Sequence, residues 1–288
     1  MPPLSDDAAR AVMRRVAWRL TPVLVLTYVV AQIDRVNVSF AALTMNADLG
    51  FSAAVYGLGA GLFFLGYVLL QVPMNLAVAR FGAGRVIAGL MVAWGLASSA
   101  TALVTTPGQF YAIRLLVGAA ESGVYPGMML YLTYWFPARQ RAAAVGLVAL
   151  SVPIAGLLGS PLSGFIMDHA HGWAGLAGWQ WLFILEGLPV VALAPLVLAV
   201  LTDRPERARW LAPAQRTWLA STLAAEAAAQ PPTVHAPWRA VLTDTRVWTL
   251  AALYFLFAGG LIGSLYWLPR AVALAAPGSS AETIGWIV

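Results

Sequence analysis

The chain has 288 residues, of which 60% are apolar and only 10% charged, and its mean hydropathy is +0.77. That balance excludes an ordinary soluble domain, and the absence of cysteine excludes a disulfide framework and any thiolate metal site. The net charge of +5 suggests a nucleic-acid partner at first sight, but the positions of the basic residues give it another origin.

A helix needs about 20 mainly apolar residues to cross a bilayer, and only helices or closed barrels satisfy their backbone in lipid. In chain order, residues 1–17 carry Asp6, Asp7, Arg10, Arg14 and Arg15 with no small-residue cleavage site. They read as a polar amino terminus whose insertion signal is the first span itself. Spans are expected at 18–40, 53–79, 86–104, 110–131, 142–167 and 181–201, forming a six-helix unit over 18–201. Residues 202–246 form a hydrophilic linker with Pro205, Pro213, Pro231, Pro232 and Pro237 and a helix-prone section at 214–229. A further span is expected at 247–269, and another begins near Ile284, so 247–288 reads as the incomplete start of a second bundle.

Every basic residue other than histidine is arginine. Arg10, Arg14, Arg15 and Arg19 precede or open the first span, Arg80 and Arg85 follow the second, and Arg139 and Arg141 follow the fourth. Arg204, Arg207, Arg209, Arg216, Arg239 and Arg246 follow the sixth, and the alternate loops at 45–52, 105–109 and 168–180 contain none. Basic residues collect on the cytoplasmic side, which predicts a multi-pass protein of the bacterial inner membrane with a cytoplasmic amino terminus. The charge is thus explained by topology, with no nucleic-acid partner.

An internal repeat supports the same layout. Asp34 and Glu121 lie 87 residues apart, Gly57-Leu58 and Gly146-Leu147 lie 89 apart, and Pro73 and Pro161 follow them. Spans one to three and four to six then read as halves of opposite orientation, with chance recurrence as the competing explanation.

Among the ionisable residues inside the apolar spans, Asp34, Arg35, Arg114 and Glu121 stand out. A charge at the bilayer centre costs roughly 2.5–3.5 kcal/mol on insertion scales, so such residues face one another or a wet cavity. Arg114 and Glu121 are about two turns apart on one helix face, roughly 10 Å along the axis, while Asp34 and Arg35 diverge by about 100°. Two guanidinium groups and two carboxylates suit a site that holds an anion and moves a proton, since an anion on the arginine frees the carboxylate to protonate. The bland alternative is static ion pairs that lock the bundle. Gln32, Asn37, Gln71, Asn75 and Ser122 line the same cavity or serve as helix–helix hydrogen bonds. Glu186 reads as a structural partner, His169 and His171 as solvated loop residues, and Trp173, Trp179 and Trp181 as an interfacial belt. No metal site, cofactor motif or catalytic constellation is visible, so the chain does not read as an enzyme.

Four stretches now take on a family likeness: Ile33-Asp-Arg-Val-Asn-Val-Ser-Phe-Ala41, Arg114-Leu-Leu-Val-Gly-Ala-Ala-Glu-Ser-Gly-Val-Tyr-Pro-Gly127, Tyr131-Leu-Thr-Tyr-Trp-Phe-Pro137 and Trp179-Gln-Trp-Leu-Phe-Ile-Leu-Glu-Gly187. With Leu201-Thr-Asp-Arg-Pro205 and Trp267-Leu-Pro269, they make the chain resemble the anion:cation symporter family of the major facilitator superfamily, especially its tartrate, phthalate and sugar-acid permeases. The resemblance implies an all-α polytopic membrane protein whose six-helix amino-terminal bundle is a 3+3 inverted repeat. It implies proton-coupled symport of a small organic anion, with Asp34 and Glu121 as proton-linked acids and Arg35 and Arg114 as substrate-binding bases. Gln32 stands where many members have tyrosine, and the loop signature between the second and third spans is degraded, with Ala79 in place of an acid. Family members have twelve spans, so the chain is expected to be truncated and inactive alone, or to need a second chain that supplies the missing helices. A non-transporting interaction or sensor protein with half of a transporter fold is the alternative.

Overall fold

The computed structural model of the protein describes residues 5–229 and 238–288. Ser5 starts the first helix: its hydroxyl accepts from the Ala8 N–H at 3.4 Å, and Asp6 and Asp7 place negative charge in the first turn. This helix, α1 (Asp6–Asp48), runs far beyond the expected span at both ends. Ser52 caps α2 (Ala53–Phe81), which passes through Pro73. Gly82, at φ 95, makes the sharp turn into α3 (Ala83–Ala100).

The expected span at 110–131 is not one helix. It divides into α4 (Pro107–Glu121) and α5 (Val124–Thr133). Ser122 and Gly123 form the kind of small-residue pair at which helices kink, and the Ser122 hydroxyl donates back to the Ala119 carbonyl at 2.7 Å. Pro126 then lacks the N–H that would meet the Ser122 carbonyl one turn earlier. A gentler bend separates α6 (Ala138–Ala149) from α7 (Ser151–His169), where Pro153 removes the donor for the Ala149 carbonyl. After α8 (Gly178–Val200) come α9 (Pro213–Ala229), the short α10 (Trp238–Thr243), α11 (Thr245–Ala275) and α12 (Ala281–Ile287). No strand occurs among the described residues. Six of these segments, with α6 and α7 counted together, are long and apolar enough to cross a membrane.

The helix contacts carry the repeat. Helix α2 packs along α4, α1 along α7, and α3 along α8. Exchanging the first three spans with the next three, in order, maps the first contact onto the second and the third onto itself. That is the packing of two related three-helix halves. Helix α11 lies against α1, and α12 lies against α7. In lipid, close helix approach depends on small residues rather than on a hydrophobic drive. Gly66 and Gly118 serve this at the α2–α4 contact, since a Cβ on Gly118 would run into the Phe63 carbonyl and one on Gly66 into the Leu115 carbonyl.

One apolar cluster, with Trp94, Trp135, Leu201 and Leu219, fills the arginine-rich end. A second, with Met45, Phe110, Trp179 and Phe183, fills the opposite end. Buried polar residues occupy the layer between them. Arg270, near the end of α11, stands at the opposite end from the loop arginines. The segment after α8 is fastened down: the Thr202 carbonyl accepts from the Tyr131 hydroxyl at 2.9 Å and from Trp135 Nε1 at 3.0 Å. Glu226 of α9 accepts from the Ala138 N–H at 3.0 Å and pairs with Arg141 at 3.3 Å. Pro231, Pro232 and Pro237 lie outside the described residues.

Candidate functional site

Asp34 and Arg35 part company on α1. Arg35 reaches α4, where Nε and Nη2 both approach Glu121 Oε1 at 2.6 Å. Its side chain retains 21% exposure, whereas that of Glu121 is 1% exposed, so the cation is the member that solvent reaches. The Arg35 guanidinium also lies over the Tyr67 ring at 4.9 Å and the Phe63 ring at 5.7 Å.

Arg114 shares the Phe63 ring, its guanidinium 4.9 Å from the same ring centre. It is buried and donates through Nη2 to the Tyr266 hydroxyl at 3.3 Å. Tyr266 belongs to α11, and its backbone carbonyl accepts from the Tyr56 hydroxyl at 2.9 Å. The close α2–α4 contact at Gly66 and Gly118 thus brings Phe63 beside both guanidinium groups. Arg114 Nε and Glu121 Oε2 are buried without a hydrogen-bond partner. The cluster holds one carboxylate against two cations and keeps hydrogen-bonding capacity in reserve. This can receive an anion.

Spacing alone had Arg114 and Glu121 sharing one face; the carboxylate nevertheless pairs with Arg35 from the neighbouring helix. Asp34 lies within electrostatic reach of Arg114 and Glu121 but makes its hydrogen bonds elsewhere. Its carboxylate accepts from Asn37 Nδ2 at 2.9 Å, from Trp94 Nε1 at 2.7 Å, and from the Ser98 hydroxyl. Charge-assisted bonds of this kind contribute about 1.5–3 kcal/mol each. Trp94→Phe is therefore expected to lower stability by about that amount, read as a lower thermal unfolding midpoint in detergent. An unchanged midpoint would mean that Asp34 does not depend on the indole.

The amide and hydroxyl candidates divide in the same way. Asn37 belongs to the Asp34 group. Gln32 and Asn75 are half-buried, each with an unpartnered amide oxygen, and Gln71 is half-buried on α2. No hydrogen bond joins these three to either arginine among the described residues, and Ser122 is engaged with its own helix. Glu186 accepts from the Ser163 hydroxyl of α7 at 2.8 Å, a helix–helix contact. Sequence reasoning passed over Phe63, Tyr67, Trp94, Ser98 and Tyr266. An aromatic ring in an apolar span looks like any lipid or core contact, and only the hydroxyls of Tyr67 and Tyr266 hinted at a polar neighbour.

The fold and site define a polytopic helical membrane protein with an inverted repeat and a buried cluster of two arginines and one glutamate. Residues 24–287 match the family model of the Major Facilitator Superfamily, and the chain belongs to that family. It is 47% identical over 269 residues to an Agrobacterium vitis protein named "Putative tartrate transporter", covering 93% of this chain and 62% of that protein. It is 41% identical over 281 residues to a quinolone resistance transporter of Acinetobacter baumannii, covering 98% of this chain and 64% of that one. Among solved structures, a bacterial homologue of the human lysosomal transporter Spinster, inward-facing and unoccupied, superposes with a TM-score of 0.71 at 19% identity. That alignment covers 99% of this chain and 59% of the other. The chain thus spans about three-fifths of the length of the curated relatives it matches.

Proposed function

We propose that the chain is part of a secondary transporter that carries a small organic carboxylate, of the tartrate kind, together with protons. The observation that carries this reading is the pair of guanidinium groups that share the Phe63 ring, only one of which is in an ion pair with a carboxylate. Its relatives named as tartrate transporters support the substrate class. Two arginines beside one ring disfavour an organic cation as the cargo. In this proposal the membrane is a bacterial inner membrane, and the excess of arginine in alternate loops supports a cytoplasmic arginine-rich end.

Coupling follows from the ion pair. A carboxylate anion entering the cluster takes one edge of each guanidinium, in the forked geometry that arginine offers. As Arg35 turns to the anion, its bond to Glu121 loosens. A buried carboxylate without its cation is strongly disfavoured, so Glu121 takes up a proton and the pair of ligands travels as a unit. Asp34 is the second proton-linked acid, held by donors on α1 and α3. Gln32, Asn75 and Gln71 are further candidates for substrate contact.

The test is uptake of labelled tartrate into vesicles, using a form extended to the length of the relatives. Uptake should rise with an imposed inward proton gradient and collapse when a protonophore dissipates it. Uptake indifferent to the gradient would remove proton coupling, and uptake of organic cations in preference to tartrate would remove the anion reading.

A further inference from the structure

A second arginine cluster lies outside the candidate transport site. At the arginine-rich end, a cavity of about 320 Å³ opens between the α2–α3 turn and the segment after α8. Arg80 and Arg85 come to it from α2 and α3, and Arg204 and Arg207 from the other wall. By the liquid volume of water, it has room for about ten molecules. None of these four arginines makes an ion pair with a carboxylate among the described residues.

The one carboxylate in the wall, Asp203, is committed elsewhere. It accepts from the Gly84 N–H at 3.4 Å and packs against Gly82 so closely that a Cβ there would overlap it. It thereby serves the start of α3, which has no side-chain cap of its own. The Arg204 guanidinium lies 3.6 Å from the centre of the Tyr134 ring, and Arg85 Nη1 reaches the Phe81 carbonyl at 3.5 Å. Both contacts hold a cation in place without neutralising it. Loop arginines that served orientation alone would need only to lie on the correct side; these four converge on one concavity from two chain segments far apart in sequence.

We propose that this cavity binds a phosphate-bearing anion, either the headgroup of an anionic phospholipid or a soluble phosphate. Several fixed cations at one end of a membrane bundle suit a doubly charged oxyanion, and arginine forks match phosphate oxygens in pairs. Phosphate bound here would tie the α2–α3 turn to the segment after α8. The proposal is independent of Arg35, Arg114 and Glu121.

The experiment measures thermal stabilisation of the purified protein in phosphatidylcholine nanodiscs. One arm adds phosphatidylglycerol to the bilayer, and the other adds inorganic phosphate to the buffer. Stabilisation by phosphatidylglycerol alone identifies the lipid as the source, and stabilisation by inorganic phosphate identifies the soluble anion. Apparent affinity should weaken about fivefold per arginine removed in Arg85→Gln/Arg207→Gln. Arg139→Gln, an exposed arginine on α6 that does not line the cavity, should leave it unchanged. The proposal is overturned if neither arm stabilises the protein, if the double variant binds as tightly as the parent, or if the Arg139 variant weakens binding equally.

Discussion

Glu121→Gln should abolish proton-driven accumulation of the anion while leaving the anion bound. The substitution keeps the shape of the side chain and an oxygen toward Arg35, but removes the charge that meets its guanidinium at 2.6 Å. Breaking a buried pair by removing one partner costs up to about 3–5 kcal/mol when the other charge stays dry. Here Arg35 keeps 21% exposure, so water and an entering anion can replace the lost partner, and the stability cost should fall below that range. The transport cost does not soften in this way, because the amide cannot carry a proton across the cycle. The measurement compares accumulation under an imposed proton gradient with counterflow at equal pH on both sides. Lost accumulation with retained counterflow is the expected result. A wild-type accumulation ratio would remove Glu121 from the proton path.

The second large effect concerns Arg114. It is buried, its Nε has no partner, and its charge is matched by no ion pair among the described residues. A charged hydrogen bond to a ligand is worth about 1.5–3 kcal/mol, so Arg114→Ala should weaken binding of the carboxylate by about 10- to 150-fold. Arg114→Lys should recover part of the loss, because it restores the charge but not the planar fork. The Tyr266 hydroxyl touches the same guanidinium at 3.3 Å, which makes Tyr266→Phe the necessary companion. That variant removes one neutral contact and should change affinity by less than about tenfold. Binding titrations on the purified protein separate the three. Full affinity in Arg114→Ala would take it out of the site.

Different physical signals settle the two sites. Both arginine groups rest on charge, but the first sits in apolar helices, where a charge is rare enough to be noticed one residue at a time. The second belongs to loops where arginine is expected for orientation, so its convergence was hidden until the chain was folded. The same contrast separates Asp34 from Glu121. In the sequence they are two equivalent acids 87 residues apart, each near an arginine. In the folded chain one is held by an indole, an amide and a hydroxyl, and the other by a guanidinium.

The sequence by itself determined the class and the identity of the rare charges. Apolar run length, arginine asymmetry and the cost of charge in lipid are all local properties of the chain. The breaks at Ser122-Gly123 and Leu150 were not legible in it, because Pro73, Pro161, Pro189 and Pro195 lie inside helices that run on unbroken. What only the tertiary structure decided is partnership. Whether Glu121 meets Arg114 two turns away or Arg35 on another helix depends on how α1 rotates against α4. The α2–α4 contact at Gly66 and Gly118 brings Phe63 beside both cations, and the Arg35–Glu121 bond joins α1 to α4. Those are interactions between residues distant in the chain, and no spacing along one helix encodes them.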